Sequence, residues 1–335
     1  MTSGYTVAIA GAACTAGTEL VKILEERAFP VDKLIPLDIR KYLGHDVEFN
    51  DEHIPVRVIE ESSFKGVDIA FFVSGDDISR EFASAAVSYG SVVIDSSSVF
   101  RMDENVPLII PEINPNKIFQ HKGIIANPGC LTIQMVLPLF AVHLKARIKR
   151  IIISTYQAVS DRGQKAMDEL TDQIRNLYSF HEVIPEVYPH QIAFNALPHV
   201  DKFCDNGYTD QEMSLINETK KIFEDDTVLI SATSVQIPVF YSHSQSVNIE
   251  TARRITPDEV RGLLRETPGV VVEDDPLQNV YPLPIYATGR DECFVGRIRR
   301  DLSVNNGIAM WIVSDNIRKG TALNAVQIAE RLISH

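Results

Sequence analysis

The most restrictive stretch of this chain is its beginning. The short apolar run Tyr5–Ala10 leads through Gly11-Ala12-Ala13-Cys14-Thr15-Ala16-Gly17 into Leu20, Val21, Ile23 and Leu24 at helical spacing. Strand, glycine turn and helix in that order open a dinucleotide-binding unit, because glycines let the backbone approach a pyrophosphate at the positive end of a helix. The middle glycine of the usual spacing is missing from Ala12-Ala13-Cys14, so side chains there crowd the phosphates or demand a wider loop. Gly11, Ala13, Cys14, Thr15, Ala16 and Gly17 are the candidate cofactor-loop residues. A second strand over residues 33–37 runs into Asp38. An acid about twenty residues past the turn holds a ribose 2′-OH and favours NAD, whereas Arg40 and Lys41 just beyond suit a 2′-phosphate and NADP. The sequence leaves that contest open.

Strand-like runs at 67–73 and 91–94 flank a helical pattern at 78–88, and such alternation predicts a parallel α/β sheet. Asp95-Ser96-Ser97-Ser98-Val99-Phe100-Arg101 follows a strand's carboxyl end, where open α/β sheets bind ligands, which makes Arg101 a candidate anion holder. Past residue 144 the pattern changes. Strand-like runs at 151–155, 228–239, 246–250, 270–272 and 292–297 are interrupted by helical stretches at 164–177 and 210–223. That mixture predicts an α+β domain with a mixed sheet, one face covered by helices. A chain of 335 residues is long for a single core. The expected class is α/β: a Rossmann-type parallel-sheet domain over 1–130, completed by a C-terminal helix over 316–335 whose amphipathic stretch runs 321–332, and an α+β domain over 131–315.

Ala126-Asn127-Pro128-Gly129-Cys130 lies between the strand-like Gly123-Ile124-Ile125 and an apolar run at 131–144. If that run is a helix, Cys130 sits in its first turn, where unpaired N–H groups and the helix dipole favour a thiolate nucleophile. The competing reading is a small, packed, inert cysteine. The net charge of −13 argues against nucleic acid or anionic membrane as a partner. Four cysteines, widely separated and without a CxxC pair, suit a reducing compartment and speak against a disulfide framework or a metal site. With no signal-like N-terminus and no apolar run of membrane-spanning length, the expected location is the cytoplasm.

Several further stretches share an order and spacing with a known family. They are Phe100-Arg101-Met102-Asp103, the Cys130 turn, Ser154-Thr155-Tyr156-Gln157-Ala158-Val159-Ser160, Pro189-His190-Gln191-Ile192-Ala193-Phe194-Asn195, His243-Ser244-Gln245-Ser246, Phe294-Val295-Gly296-Arg297 and Ser314-Asp315-Asn316-Ile317-Arg318-Lys319-Gly320. On these, the chain resembles the aspartate-β-semialdehyde dehydrogenase family over essentially its full length. The resemblance implies a thiolate that attacks the aldehyde, hydride transfer to NADP, with NAD as the alternative, and release of the thioester by inorganic phosphate. Lysine, methionine and threonine biosynthesis runs the reaction in reverse. It casts Cys130 as the nucleophile, His243 as the acid/base, Gln157 as the amide that orients the covalent intermediate and Arg101 as the phosphate holder. It places Asn127, Gln211, Ser214 and Gln236 at the substrate, and Gly75, Ser160 and Asn316 beside the loop residues at the cofactor. It also makes the second domain catalytic and dimerising, in a homodimer or homotetramer.

The departures from the family pattern cluster at the sites. Gln236 stands where the family has the arginine that grips the substrate carboxylate, and Gln211 and Ser214 fall where it has a glutamate and a lysine. Charge-assisted hydrogen bonds contribute about 1.5–3 kcal/mol against about 1 for neutral ones, so the arginine's loss alone implies roughly tenfold or more in affinity. Gly129 and Leu131 replace the usual flanks of the cysteine, and Asn-Pro-Gly-Cys is how the turn reads in N-acetylglutamyl-phosphate reductases. Asp76, Ser96 and Asp161 stand where glycine or asparagine is usual near the cofactor. Three readings follow: an aspartate-semialdehyde dehydrogenase with drifted contacts, a reductase of another acyl phosphate, and a non-catalytic or regulatory paralogue. Retention of Cys130, Gln157 and His243 together argues against the third.

Overall fold

Within residues 4–334, which the computed structural model describes, the chain forms two units. One is the chain up to Gly129 together with the chain from Gly320 onward, and the other is Cys130–Lys319. The first contains β1 (Tyr5–Ala10), α1 (Thr15–Glu26), β2 (Val31–Asp38), β3 (Asp46–Phe49), β4 (Glu52–Pro55), β5 (Arg57–Val58), β6 (Ile69–Phe72), α2 (Asp76–Ser88), β7 (Val92–Asp95) and β8 (Ile124–Ala126). Its six-stranded sheet runs β5-β2-β1-β6-β7-β8, every pair parallel. This is the doubly wound order 3-2-1-4-5-6, whose switch point lies between β1 and β6. Val7 and Ile9 of β1 pack with Leu20, Ile23 and Leu24 of α1 and with Val326 and Ala329 of the C-terminal helix, Asn324–Ile333. Ala8 and Ala10 pack on the other face with Phe72, Phe82 and Ala83. Cover on both faces explains why these strands read as unbroken apolar runs. Truncating a buried residue such as Leu24 to Ala costs about 2–5 kcal/mol.

The second unit contains α3 (Cys130–Ala146), β9 (Ile148–Gln157), α4 (Gln164–Tyr178), α5 (Asp210–Phe223), β10 (Leu229–Gln236), β11 (His243–Thr251), α6 (Pro257–Arg265), β12 (Val270–Val272), α7 (Pro284–Ala287), β13 (Cys293–Asp301) and β14 (Gly307–Ser314). Its sheet runs β10-β9-β11-β14-β13-β12, with parallel pairs at both ends and antiparallel pairs between. From Leu131 to Leu139 every residue of α3 is buried, so this helix is a core element with no polar face. In β9, Ile151, Ile153, Thr155 and Gln157 are buried, alternating with the more accessible Ile152, Ser154 and Tyr156. The second set shares its face with Ser246 and Trp311, and the Tyr156 and Trp311 rings lie 5.4 Å apart.

Four elements differ from the sequence reading. β14 is central to its sheet yet reads as a continuous apolar run, which periodicity alone cannot assign to a strand. The β3–β4 hairpin turns on Asn50 and Asp51, both at positive φ, without the glycine that usually marks such a turn. β10 stops at Gln236 and not at residue 239, because Pro238 has no N–H to extend the ladder. The C-terminal helix begins at Asn324, after a π-helical turn at Arg318–Leu323, where the sequence reading starts it at 321.

Candidate active site

In the first unit, the switch point is lined by backbone. Gly11 has φ +98°, and a Cβ on it would lie 2.7 Å from that of Ser74; one on Gly17 would lie 2.0 Å from the Gly11 carbonyl oxygen. Both positions require glycine. Where the middle glycine is absent, Cys14 caps α1: its Sγ accepts from Gly17 N–H at 3.4 Å and its thiol donates to Val73 O at 3.6 Å. Burial pushes the Cys14 thiol up, so it packs here as a neutral cap. Its side chain turns toward the end of β6, and Ala13, Thr15 and Ala16 remain half-exposed at the turn. Asp38 takes Ala13 N–H at 3.0 Å and Ile39 N–H at 2.8 Å. Burial raises its pKa and outweighs those two bonds, which act the other way. Arg40 and Lys41 are exposed beside it. Gly75 has φ +100° and open space where a Cβ would stand. Close-approach glycines, an open helix N-terminus and two cations after β2 fit a dinucleotide whose ribose carries a phosphate.

Arg101 donates from Nη2 to Ser96 O at 2.6 Å and from Nε to Asn127 O at 3.1 Å, which fixes the guanidinium against two loop carbonyls. Asn127 is completely buried. Its Nδ2 donates to Ser96 Oγ and Thr321 O, both at 3.1 Å, and its Oδ1 accepts from Asn324 Nδ2 at 2.6 Å. Asn127, a candidate substrate contact in the sequence reading, thus braces the turn with both ends of its amide.

In the second unit, the remaining candidates meet where β9, β10 and β11 end on one edge. Gln157 closes β9, Gln236 closes β10 in register with it, and His243 opens β11. Cys130 is the first residue of α3, facing the positive end of a buried helix. Two glutamines bind that helix to the sheet: Gln134 Nε2 donates to His243 O at 2.9 Å and Ile312 O at 3.1 Å, and Gln245 Nε2 donates to Leu131 O at 2.9 Å. The Cys130 thiol donates to Asp161 Oδ1 at 3.8 Å, and His243 Nε2 lies 3.6 Å from the same oxygen. Burial opposes ionisation of Asp161, but the His243 imidazole outweighs it and holds the carboxyl below its ordinary range. Asp161 was placed near the cofactor by the sequence reading; the structure sets it against the thiol. Nothing in the local sequence signals this, since the contact bridges 31 residues.

The imidazole's protonation is fixed by its surroundings. His243 is buried, and its Nδ1 accepts from Ala158 N–H at 3.0 Å. A backbone amide can only donate, so Nδ1 carries a lone pair and the neutral ring bears its proton on Nε2. Reactive atoms of Cys130, Asp161 and His243 lie within 4.8 Å of one another, a spacing that would suit a metal ion. The tautomer does not suit one, because a ligating nitrogen needs its lone pair and the ring's other N–H needs an acceptor. Nε2 instead points a hydrogen-bond donor at the space beside the sulfur, where Asp161 Oδ1 lies 3.6 Å away, beyond ordinary hydrogen-bond length.

The amides around this edge are tightly constrained. Gln157 Nε2 donates to Thr155 Oγ1 at 3.0 Å and to Gln211 Oε1 at 2.6 Å, while Gln236 Nε2 donates to Gln157 O at 3.0 Å. The side-chain oxygens of Gln157 and Gln236 are buried and have no hydrogen-bond donor among the described residues. Ser214 lies one turn beyond Gln211 on α5 and is half-exposed. Ser160 and Asn316 hydrogen-bond each other at 3.1–3.2 Å, and Asn316 Oδ1 also accepts from Ser242 N–H at 3.0 Å. Both are buried, so they join two loops of this unit.

Comparison with known proteins follows this division. Residues 6–121 match the semialdehyde dehydrogenase NAD binding domain, and residues 137–319 match the semialdehyde dehydrogenase dimerisation domain. The aspartate-semialdehyde dehydrogenase of Aquifex aeolicus is 50% identical over 334 residues, 98% of each chain. That of Bacillus subtilis is 45% identical over 340 residues, 99% of this chain and 98% of the relative. The crystal structure of aspartate semialdehyde dehydrogenase II from Vibrio cholerae superposes with a TM-score of 0.96 at 40% identity, covering 99% of both chains. Its complex with ASA gives the same values.

Proposed function

The chain belongs to the aspartate-semialdehyde dehydrogenase family, and we propose that it interconverts aspartyl phosphate and aspartate semialdehyde with NADP through a thioester on Cys130. The observation that carries this reading is a thiol at the start of a buried helix with an Nε2–H donor aimed at the space beside it. Addition of Cys130 as its thiolate to an aldehyde moves the negative charge onto the carbonyl oxygen, and His243 Nε2–H stabilises it by hydrogen bonding. Because Nδ1 is held as an acceptor, His243 acts through its N–H and not as a proton acceptor at Nε2. Gln157, locked by Thr155 and Gln211, offers its unpartnered Oε1 to a donor on the covalent intermediate.

The cofactor supplies a hydride in the reductive direction and accepts it in the oxidative one. Gly11, Gly17 and the half-exposed turn at Ala13, Thr15 and Ala16 hold its pyrophosphate, with Gly75 at the facing helix. Arg40 and Lys41 hold a 2′-phosphate, while Asp38 is engaged with Ala13 and Ile39, which favours NADP over NAD. Arg101, set against Ser96 and Asn127, offers a fixed guanidinium to phosphate. Ile152, Tyr156 and Trp311 on the accessible face of the second sheet suit a homodimer interface. The test is NADPH formation from aspartate semialdehyde with and without inorganic phosphate, beside a Cys130→Ser control. Turnover lost in the control supports the thioester route, and turnover retained there overturns it.

A further inference from the structure

Asp161 has no role in the steps above, yet its Oδ1 lies 3.8 Å from the Cys130 sulfur and 3.6 Å from His243 Nε2. An anion in that place acts in two ways on an acyl group carried by the sulfur. It repels a phosphate dianion approaching the thioester, and it accepts a proton from water. His243 cannot take that second task, because its Nε2 already bears a proton. The thioester carbonyl carbon is one bond from Sγ. A water held at about 2.8 Å from Oδ1 therefore lies within reach of that carbon.

We infer that Asp161 is the general base that delivers water to the acyl-Cys130 thioester, giving this protein a hydrolytic outlet that needs no phosphate. The inference rests on the reading of Cys130 as the group that carries the acyl chain. Water adds to the carbonyl carbon as Asp161 takes one of its protons. The tetrahedral intermediate collapses, the C–S bond breaks, the free acid departs, and the proton held by Asp161 returns to the sulfur. Nothing is oxidised or reduced in this step, so the outlet operates with or without the nicotinamide cofactor. The lowered pKa of Asp161 keeps it ionised at neutral pH, at the expense of some base strength.

The step is tested without cofactor, using p-nitrophenyl acetate in phosphate-free buffer and reading both p-nitrophenolate release and the mass of the protein. The wild type should turn over, and Cys130→Ser should not. Asp161→Asn should give a burst of one acetyl group per thiol and then stall, with deacylation slower by about 10²–10⁴-fold, and Asp161→Glu should recover part of the loss. If the wild type itself accumulates acetyl-Cys130 and discharges it only when inorganic phosphate is added, the hydrolytic outlet is wrong while the nucleophile stands. If Cys130 is never acetylated, both fail. Acylation and deacylation slowed alike in Asp161→Asn would leave Asp161 a positioning residue and overturn the proposal. The wild-type measurements decide whether the outlet exists even if a variant does not fold, and Asp161→Glu tests the base if Asp161→Asn does not fold.

Discussion

The nucleotide end of the first unit and the reactive edge of the second are built on opposite plans. At the first, backbone makes the site: Gly11 and Gly17 allow close approach, and Cys14 and Asp38 brace the turn from behind. A side chain such as that of Cys14 is accommodated there because it turns back onto Val73 O and Gly17 N–H. At the second, side chains make the site and backbone fixes them: Ala158 N–H sets the His243 tautomer, and the Gln157 carbonyl orients Gln236. A single side chain there, such as Asp161 with its Oδ1 3.8 Å from the Cys130 sulfur and 3.6 Å from His243 Nε2, bears directly on the reacting atoms. Substitution is therefore expected to be tolerated more readily at the first end than at the second.

The contrast is broken most severely at His243. Replacing it with Ala should lower the rate of the chemical step by about 10²–10³-fold, the usual effect of removing one oxyanion donor, while NADP affinity stays within a factor of about two. His243→Asn, which keeps an N–H, should lose less. Single-turnover kinetics would separate the two, and equal losses in both variants would show that the ring acts by something other than donation. Arg40→Ala probes the other end. Removing one charge-assisted bond should weaken NADP about tenfold or more and leave NAD unchanged. A titration in which both cofactors weaken equally would assign Arg40 to the fold of the loop.

These two ends were unequally legible in the sequence. The glycine turn, Asp38, Arg40 and Lys41 lie within about 30 residues and carry a local pattern, so the βαβ opening could be read directly. The parallel sheet followed from alternation of strands and helices. The mixed sheet was legible in kind but not in full, because β14 lacks the alternation that marks a half-buried strand. At the reactive edge, Cys130 is marked by its turn between a strand and an apolar run, whereas Gln157 and His243 entered through resemblance and not through spacing. Asp161 escaped assignment there because its meeting with Cys130 depends on how β9 returns the chain beside α3, which no local pattern encodes. Asn127 and Asn316 are polar residues in loops, and burial alone separates a brace from a contact.

Gln236→Arg sharpens the comparison with a smaller effect. Gln236 is buried, with its Nε2 bound to Gln157 O and its Oε1 without a donor among the described residues. If aspartate semialdehyde is the substrate, a guanidinium there forms paired bonds to the carboxylate, and KM should fall about tenfold. A KM that is unchanged or higher in a well-folded variant would move the substrate toward one without a carboxylate, since an unmatched buried cation harms binding and stability together.

The smallest effect concerns pH. Asp161 has a folded-state pKa below its ordinary value of 3.8, so the unfolded chain takes up that proton first as pH falls. Its contribution to stability is therefore present in full above about pH 4 and is lost as pH falls from the unfolded pKa through the folded one. Asp161→Asn should remove that contribution. Thermal melts at a series of pH values should show the wild type above the variant at neutral pH, with the gap closing in acid. Asp161 is partly accessible to solvent, so the gap is expected to be small. A gap that widens in acid would mean that the carboxylate is held in place against its own charge, and that the His243 contact does not stabilise it.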